Sequence, residues 1–419
     1  MRGSADDGGG RAVDRGAMFG IRAGRAFDGE RVVPGGALVL VDDGRIAGVE
    51  PGAAPAPEGC QVLEVPGGTV LPGLVDAHVH LCGDGTDGTL DRLGEPGQDA
   101  MVAVIEESLR RQLAAGVTAV RDLGDRRFAV LDWRSSAKSR AGVYPAVVTA
   151  GPPITSVGGH CANMGGEAGG VDQLRDAVRK RAERGVDVVK IMTSGGFATT
   201  GTQVMLCQFT LDEVRAVIEE AHSAGLPVTA HAHGLPAVHM AMAAGVDGIE
   251  HCSFLTDKGI SQSEEDLARL AQSGTAVCPT LGTAGPLRPT PNAAALLAKL
   301  GMTFEQVMEM NKRRVGQMHA AGVRVVAGSD GGISAAKPHG LLPVSVAFLV
   351  DGGVSTVAAL ASATALAADA CGLGDSKGRL RAGYDADLLV VDGDPAADIG
   401  ALARPVAVFA GGRSPAGAP

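Results

Sequence analysis

Short apolar runs alternate with longer amphipathic segments along most of the chain. From residue 74 onward, each apolar run is followed by a longer stretch in which polar and apolar positions are mixed. This alternation is typical of repeated βα units that build a parallel sheet. Eight such units are the number that a closed (β/α)8 TIM barrel needs. The eight predicted strands are residues 74–81, 117–122, 146–150, 186–193, 226–231, 248–252, 275–279 and 323–329.

Most of the segments between these runs are predicted to be helical. Residues 211–224 give the clearest helical pattern, and Thr210 followed three residues later by Glu213 forms a capping box at its start. The third connection, residues 151–170, is instead rich in glycine and carries no regular pattern. We therefore expect helices in most connections and an irregular segment after the third strand.

Both ends of the chain carry short strand patterns. Brief alternating runs broken by Gly-Gly, Asp-Gly and Pro-Gly fill residues 19–71, and similar runs occupy residues 386–392 and 405–409. The two ends are predicted to combine into one small composite β-sandwich domain beside the barrel. The expected divisions are a disordered extension poor in apolar residues, an N-terminal β-sandwich segment, the TIM barrel, a C-terminal β-sandwich segment and a tail, at residues 1–17, 18–72, 73–376, 377–413 and 414–419.

Composition narrows the class of protein. With 45% hydrophobic and 20% charged residues, the 419-residue chain is typical of a globular protein. A formal net charge of −10 argues against nucleic acid as a partner and favours a small-molecule substrate. No run approaches the roughly 20 apolar residues of a membrane span, so no membrane partner is expected. Seven cysteines without paired spacing indicate no disulfide framework and fit a cytoplasmic protein, and a homo-oligomer is left open.

Two histidines lie near the end of the first predicted barrel strand. His78 and His80 are two residues apart, so a strand would point both imidazoles to the same face. A lone histidine is more often a hydrogen-bonded structural residue, but a same-face pair at the carboxyl end of a barrel strand suits a divalent metal. We therefore interpret the pair as metal ligands.

Lys190 interrupts the apolar run of the fourth predicted strand. A lone ammonium buried there would cost several kcal/mol unless something compensated its charge. One interpretation is a lysine at the strand end that reaches solvent. The other is a lysine carbamylated by CO₂, whose carboxylate would bridge two cations.

Further candidate ligands follow later predicted strands. His231 and His233 share one face of the fifth strand, and His251 lies at the end of the sixth. Asp330 follows the eighth strand and is flanked by glycines that would let a substrate approach the backbone. Capping of the next helix is the alternative role for Asp330.

These residues resemble, in order and strand placement, the metal signature of the amidohydrolase superfamily. The resemblance covers residues 19–412 and is greatest to the imidazolonepropionase-like branch, which includes dipeptidases of the prolidase type. The motifs that carry the resemblance to this branch are Gly158-Gly-His-Cys, Lys190-Ile-Met-Thr-Ser-Gly-Gly, His231-Ala-His-Gly and Ile249-Glu-His-Cys.

The resemblance implies a site with two divalent metal ions. In the family pattern, one ion is held by His78, His80 and Asp330, the other by His231 and His251, and carbamylated Lys190 bridges them. Zinc is the expected metal, and Mn²⁺, Co²⁺ or Fe²⁺ also suit imidazole and carboxylate ligands. Asp330 would also move a proton from the activated water to the leaving amine.

The implied function is a binuclear metal-dependent amidohydrolase that cleaves an amide bond of a small molecule, such as a dipeptide or N-acyl amino acid. His160 and His233 are candidate substrate contacts, and the backbone N–H groups of Gly195 and Gly196 are candidates to bind an anionic group. Hydrolysis of a cyclic amide, imide, lactone or phosphoester by the same site is the alternative. A non-catalytic scaffold is a remote one, because every expected ligand is present.

Overall fold

The computed structural model describes residues 18–95, 97–136, 143–285 and 289–415 and has a mixed α/β fold. The predictions for residues 1–17 and for the last four residues of the tail lie outside the described residues. In the described chain the strands, numbered β1 to β15, are Phe19–Phe27, Val32–Val33, Ala37–Asp42, Arg45–Pro51, Gln61–Pro72, Leu74–Val79, Val117–Asp122, Ala146–Thr149, Val189–Met192, Val228–Gly234, Gly248–Thr256, Gly259–Ile260, Ala276–Cys278, Leu388–Asp392 and Pro405–Phe409.

Helices fill most of the connections between the later strands, as predicted. The predicted capping box is present, because the Thr210 side chain accepts from the Glu213 backbone N–H and the Glu213 side chain bonds back to Thr210. The α-helices of the described chain, numbered α1 to α11, are Gln98–Ala114, Ala129–Ser135, Val171–Arg184, Leu211–Ser223, Leu235–Ala244, Glu264–Ser273, Pro291–Leu300, Phe304–Ala320, Leu342–Asp351, Thr356–Ser362 and Ala365–Ala370. Two short 3₁₀ helices cover Ala162–Met164 and Ile399–Ala403.

Strands from both ends of the chain share one seven-stranded sheet. Its order is β15-β14-β5-β1-β3-β4, with β2 paired to β1. Strand β14 joins the N-terminal strands by pairing antiparallel with β5, where Val390 lies opposite Val70. Side chains such as Ile21, Val39 and Leu388 pack in a hydrophobic cluster of this sheet. The two ends therefore associate as the sequence predicts, while a two-layered sandwich stays a prediction.

Seven of the eight predicted barrel runs form strands. Strands β6, β7 and β8 make one parallel sheet, and β9, β10, β11 and β13 make another in which neighbouring strands are also parallel. Hydrogen bonds connect the two sheets, since the Asp187 N–H donates to the Thr149 carbonyl over 3.0 Å and the Ile154 N–H to the Lys190 carbonyl over 2.8 Å. The irregular third connection holds Ile154 and one of the 3₁₀ helices.

The prediction of a regular strand at residues 323–329 is wrong. Only an isolated bridge between Val325 and Val277 is present there. The backbone donors of this segment go to different partners, because the Ala327 N–H donates to the Ser362 carbonyl and the Ser329 N–H to the Asp76 carboxylate. A continuous ladder therefore does not form, although the segment still bonds to β13 on one side and β6 on the other.

No helix among the described residues is both long and apolar enough to cross a membrane.

Candidate metal centre

His78 and His80 lie at the carboxyl end of β6, opposite Asp330. Their Nε2 atoms are 3.3 Å apart, so both imidazoles face the same way, as the spacing predicts. Asp330 Oδ1 is 3.5 Å from His78 Nε2 and 3.3 Å from His80 Nε2. The three side chains are buried, and their ligand atoms lie within 4.8 Å of one another. We call His78, His80 and Asp330 the first cluster.

The protonation states of His78 and Asp330 in the first cluster suit a cation. Burial would raise the pKa of Asp330, but His78 and His80 lower it to about 2, so the carboxylate is ionised at neutral pH. Burial lowers the pKa of His78 to about 4, which keeps that imidazole neutral. A neutral imidazole and a carboxylate are the protonation states in which these side chains bind metals.

A buried glutamate that the sequence interpretation did not assign holds His78. Glu250 Oε2 lies 2.7 Å from His78 Nδ1, so the ring's other nitrogen, Nε2, faces Asp330. Arg121 Nη2 and Thr229 Oγ1 donate to Glu250 Oε1 over 3.0 and 2.6 Å. Burial would raise the pKa of Glu250, but Arg121, His78 and Lys190 bring it below its usual value. A carboxylate within the apolar run of β11 was the signal that could have identified this partner.

Lys190 projects from β9 into the same buried region. Its side chain is 1% exposed, and its Nζ has no hydrogen-bond partner among the described residues. Burial lowers the pKa of Lys190, although Glu250 and Asp330 oppose the shift. The solvent-exposed interpretation of Lys190 is therefore wrong, because the strand end is covered.

Three further imidazoles gather at the ends of β10 and β11. The ring centroids of His231 and His233 are 4.7 Å apart, those of His231 and His251 are 4.7 Å apart, and those of His233 and His251 are 4.4 Å apart. Ligand atoms of the three buried rings lie within 4.8 Å of one another. We call these three histidines the second cluster. His78 connects the two clusters, with its ring centroid 5.4 Å from that of His251.

The backbone at and beside these candidate ligands is unusual. His251, Cys252, Thr280 and Asp330 all have left-handed φ angles, between 46° and 63°. Such conformations cost of order 1–3 kcal/mol for non-glycine residues and cluster at functional sites. Arg314 from α8 supports this turn of the chain, because its guanidinium donates to the carbonyls of His251 and Cys252.

His160 lies beside the second cluster, in the irregular third connection. Its ring centroid is 4.7 Å from that of His231, and its Nδ1 lies 2.8 Å from Thr199 Oγ1. Gly196 packs under the ring, where a Cβ would come within 2.3 Å of His160 Nε2. The structure therefore brings His160 to the same site as the predicted ligands.

The expectation that Gly195 and Gly196 offer free N–H groups to an anion is wrong for this structure. The Gly195 N–H donates to the Leu206 carbonyl over 3.3 Å, and the Gly196 N–H donates to Thr202 Oγ1 over 3.2 Å. Both donors are used inside their own loop. Local glycine content could not reveal this, because the acceptors lie on other residues of the folded loop.

Comparison with known proteins places this site in a family. The profile of the amidohydrolase family matches residues 69–414. Ochratoxinase from Aspergillus niger is 26% identical over 369 residues, which cover 81% of this chain and 73% of that protein. Imidazolonepropionase from Symbiobacterium thermophilum is 26% identical over 398 residues, covering 89% of this chain and 87% of that protein.

A solved structure shows the same fold over nearly the whole chain. A Xaa-Pro dipeptidase with methionine bound in its active site superposes with a TM-score of 0.79 at 25% identity, covering 95% of this chain and 99% of that one. The resemblance to imidazolonepropionases and prolidases is thereby confirmed. The chain belongs to the amidohydrolase family and is a hydrolase that acts on amide bonds.

Proposed function

We propose that the protein is a two-metal amidohydrolase that cleaves the amide bond of a small molecule such as a dipeptide or an N-acyl amino acid. The observation that carries the proposal is the Lys190 amine, which is buried without a hydrogen-bond partner in the described chain, in the region of both clusters. A group so placed needs a compensating charge. Carbamylation would give it an anionic carboxylate that two cations neutralise.

The two clusters and Lys190 fit this ligand set. His78, His80 and Asp330 would hold one ion, and His231 and His251 would hold the other, with carbamylated Lys190 between them. Because burial lowers the pKa of Lys190, its neutral amine forms more readily than that of an exposed lysine, and the neutral amine is the form that adds to CO₂ with loss of a proton. Imidazole and carboxylate ligands suit Zn²⁺ and also Mn²⁺, Co²⁺ or Fe²⁺.

A closed (β/α)8 barrel over residues 73–376 is the architecture we propose for the catalytic domain. The segment after α8 supports closure, because the Val326 N–H donates to the Val277 carbonyl and the Ala77 N–H donates to the Ala327 carbonyl, over 2.9 and 3.1 Å. With the bonds between the two parallel sheets, each of the eight segments is joined to the next. Residues 18–72 and 377–413 would form the composite β-sandwich.

In this proposal, the side chains of the protein orient the reactants and move a proton. When bound, the two ions would polarise the substrate carbonyl and lower the pKa of water. Asp330 is ionised, so its carboxylate can accept the proton of the attacking water. As water adds to the carbonyl carbon and the C–N bond breaks, Asp330 returns that proton to the leaving amine.

Substrate contact is assigned to His160. Its Nδ1 is held by Thr199, and burial lowers its pKa to about 3, so the ring is neutral and can offer hydrogen bonds to a polar group of the substrate. The relatives named for dipeptide and ochratoxin hydrolysis support an amide-bearing substrate. A carboxylate next to an apolar group is the substrate class we favour.

A substrate panel tests this function. Purified enzyme with added Zn²⁺ or Mn²⁺ should hydrolyse dipeptides or N-acyl amino acids and should have a lower KM for the free acid than for its methyl ester. Equal kinetics on acid and ester would exclude carboxylate recognition. Turnover confined to lactones or cyclic amides would replace the proposed substrate class by the alternative one.

A further inference from the structure

Lys337 is a cation beside the first cluster to which the proposed mechanism gives no role. It lies in the turn that follows Asp330, where the Lys337 N–H donates to the Ser334 carbonyl over 2.9 Å. The Gly332 N–H donates in turn to the Lys337 carbonyl over 2.7 Å. This pairing brings Lys337 back to the start of the turn, so its Nζ lies 3.0 Å from the Ser329 carbonyl oxygen, just before Asp330.

The Lys337 ammonium joins two separate segments of the chain. Its Nζ donates to the Thr280 carbonyl over 2.6 Å and to the Ser329 carbonyl over 3.0 Å. Thr280 follows β13, and Ser329 ends the segment of residues 323–329. Both residues are buried, so each carbonyl would lose a charged donor if the ammonium were removed. Hydrogen bonds to charged groups contribute about 1.5–3 kcal/mol each, more than bonds between neutral groups.

One of these bonds orients the peptide that leads into Asp330. The carbonyl of this peptide, from Ser329, accepts from Lys337. Its N–H, from Asp330, donates to the His78 carbonyl over 2.8 Å. Asp330 has a left-handed φ of 58°, a conformation that costs a non-glycine residue of order 1–3 kcal/mol and persists only where the surroundings impose it. Bonds on both sides of the peptide therefore help to direct the Asp330 carboxylate into the first cluster.

The other bond supports a residue that holds His251. Thr280 also has a left-handed φ, of 50°, and its Oγ1 lies 2.7 Å from His251 Nδ1. Because a partner on one ring nitrogen fixes the orientation of a ligating histidine, this contact makes Nε2 the atom that His251 can offer to a metal. Lys337 is thus bonded next to a candidate ligand of the first cluster and to the residue that orients a candidate ligand of the second.

We propose that Lys337 is a positioning residue for both metal ions, acting through the peptide before Asp330 and through Thr280. This inference rests on the proposed two-metal function. A lysine suits the role because its ammonium carries three donors on one nitrogen, whereas the guanidinium of arginine holds its donors in a rigid planar fork. In this role Lys337 itself contacts neither ion nor substrate.

Metal titration of the full-length protein, combined with kinetics, tests this role. Metal-free wild type and the Lys337→Met, Lys337→Arg and Lys337→Ala variants are titrated with Co²⁺. Elemental analysis gives the number of ions, and visible absorption reports the ligand geometry. Lys180→Met is the matched control, because Lys180 is an exposed residue of α3. Thermal unfolding of the metal-free proteins checks that each variant is folded.

We expect Lys337→Met to bind Co²⁺ about 10- to 100-fold more weakly than wild type and with an altered spectrum, the usual cost of losing an outer partner of a metal ligand. Its kcat should fall while its KM changes little. Lys337→Arg should lose part of the affinity, because it keeps the charge and changes the geometry, and Lys180→Met should match wild type. Ethylammonium added to Lys337→Ala should restore part of the Co²⁺ affinity and of the spectrum.

Two results would overturn the inference. One is wild-type Co²⁺ affinity and spectrum in Lys337→Met with only a lower unfolding temperature, which would leave Lys337 a purely structural residue. The other is wild-type metal binding with a raised KM, which would make Lys337 a substrate contact. If Lys337→Met does not fold, weaker Co²⁺ binding by Lys337→Arg supports the inference and wild-type binding overturns it. Absence of bound metal from the wild type would refute the two-metal function itself, so the two failures are distinguishable.

Discussion

The buried Glu250 carboxylate at the site has partners from distant regions of the chain. Glu250 contacts His78 across 172 positions of sequence and Arg121 across 129. A buried carboxylate without such partners would cost several kcal/mol. The same contacts fix which nitrogen of His78 faces the first cluster, so Glu250 positions the His78 ring.

Replacing Glu250 should weaken metal binding at the first cluster. Glu250→Gln keeps the size of the side chain but removes the charge that Arg121 and His78 bond to. We expect metal affinity to fall by about 10- to 100-fold, as for other outer-sphere partners of metal ligands. Glu309→Gln, on an exposed face of α8, is the control and should leave affinity unchanged. Unaltered Co²⁺ titration of Glu250→Gln would show that Glu250 is only structural.

Asp330 should be required for the chemical step. Because its carboxylate is proposed to carry the proton, Asp330→Asn should lower kcat by about 10² or more, the usual contribution of general acid–base catalysis. Metal content must be measured on the same sample, since Asp330 is also a proposed ligand. A variant that keeps its metal and changes only KM would show that Asp330 binds substrate and moves no proton.

At the scale of elements, helix α7 is hydrogen-bonded to the loop of residues 196–202, which lies beside the second cluster. The Asn292 side-chain amide donates to the carbonyls of Gly196, Thr199 and Thr202 over 3.0, 2.8 and 3.2 Å. Thr199 in turn holds His160. The start of α7 therefore helps to fix the position of the His160 ring.

Loss of this attachment should affect substrate binding more than turnover. Asn292→Ala removes three hydrogen bonds to the loop, and a loss of about 1 kcal/mol in substrate binding corresponds to a rise in KM of roughly fivefold, with kcat nearly unchanged. Lys299→Ala, an exposed change on the same helix, should behave as wild type. Steady-state kinetics on the preferred substrate give the measurement, and an unchanged KM would mean that the loop keeps its position without Asn292.

Elements with a local pattern were predictable, and elements set by distant contacts were not. The helix at Leu211–Ser223 and its capping box follow from a few neighbouring residues. The segment at residues 323–329 has the composition of a strand. Its Ser329 N–H, however, donates to the Asp76 carboxylate and its Ala327 N–H donates to the Ser362 carbonyl, so a regular ladder does not form. The pairing of Glu250 with His78 could not be predicted either, because the two residues are 172 positions apart in the sequence. The spacing of His78 and His80, in contrast, was enough to predict that their rings lie together.

For the whole molecule, one seven-stranded sheet combines strands from the N-terminal and C-terminal segments, and the parallel strands between these segments carry the candidate ligands. Residues from β6, β9, β10 and β11 and from the segment before α9 converge in one buried region. The convergence joins residues that lie far apart in the sequence, and sequence alone could suggest it only through the count of eight apolar runs. The family match over residues 69–414 agrees with it.

Metal content measured together with activity tests the two-metal account most directly. Elemental analysis and assay of one purified sample, before and after chelation, should give close to two divalent ions per chain, loss of activity on chelation and recovery with Zn²⁺ or Mn²⁺. Two ions are expected because the first and second clusters are two groups of candidate ligand atoms that share no residue. Full activity in a sample that holds one ion or none would contradict the account.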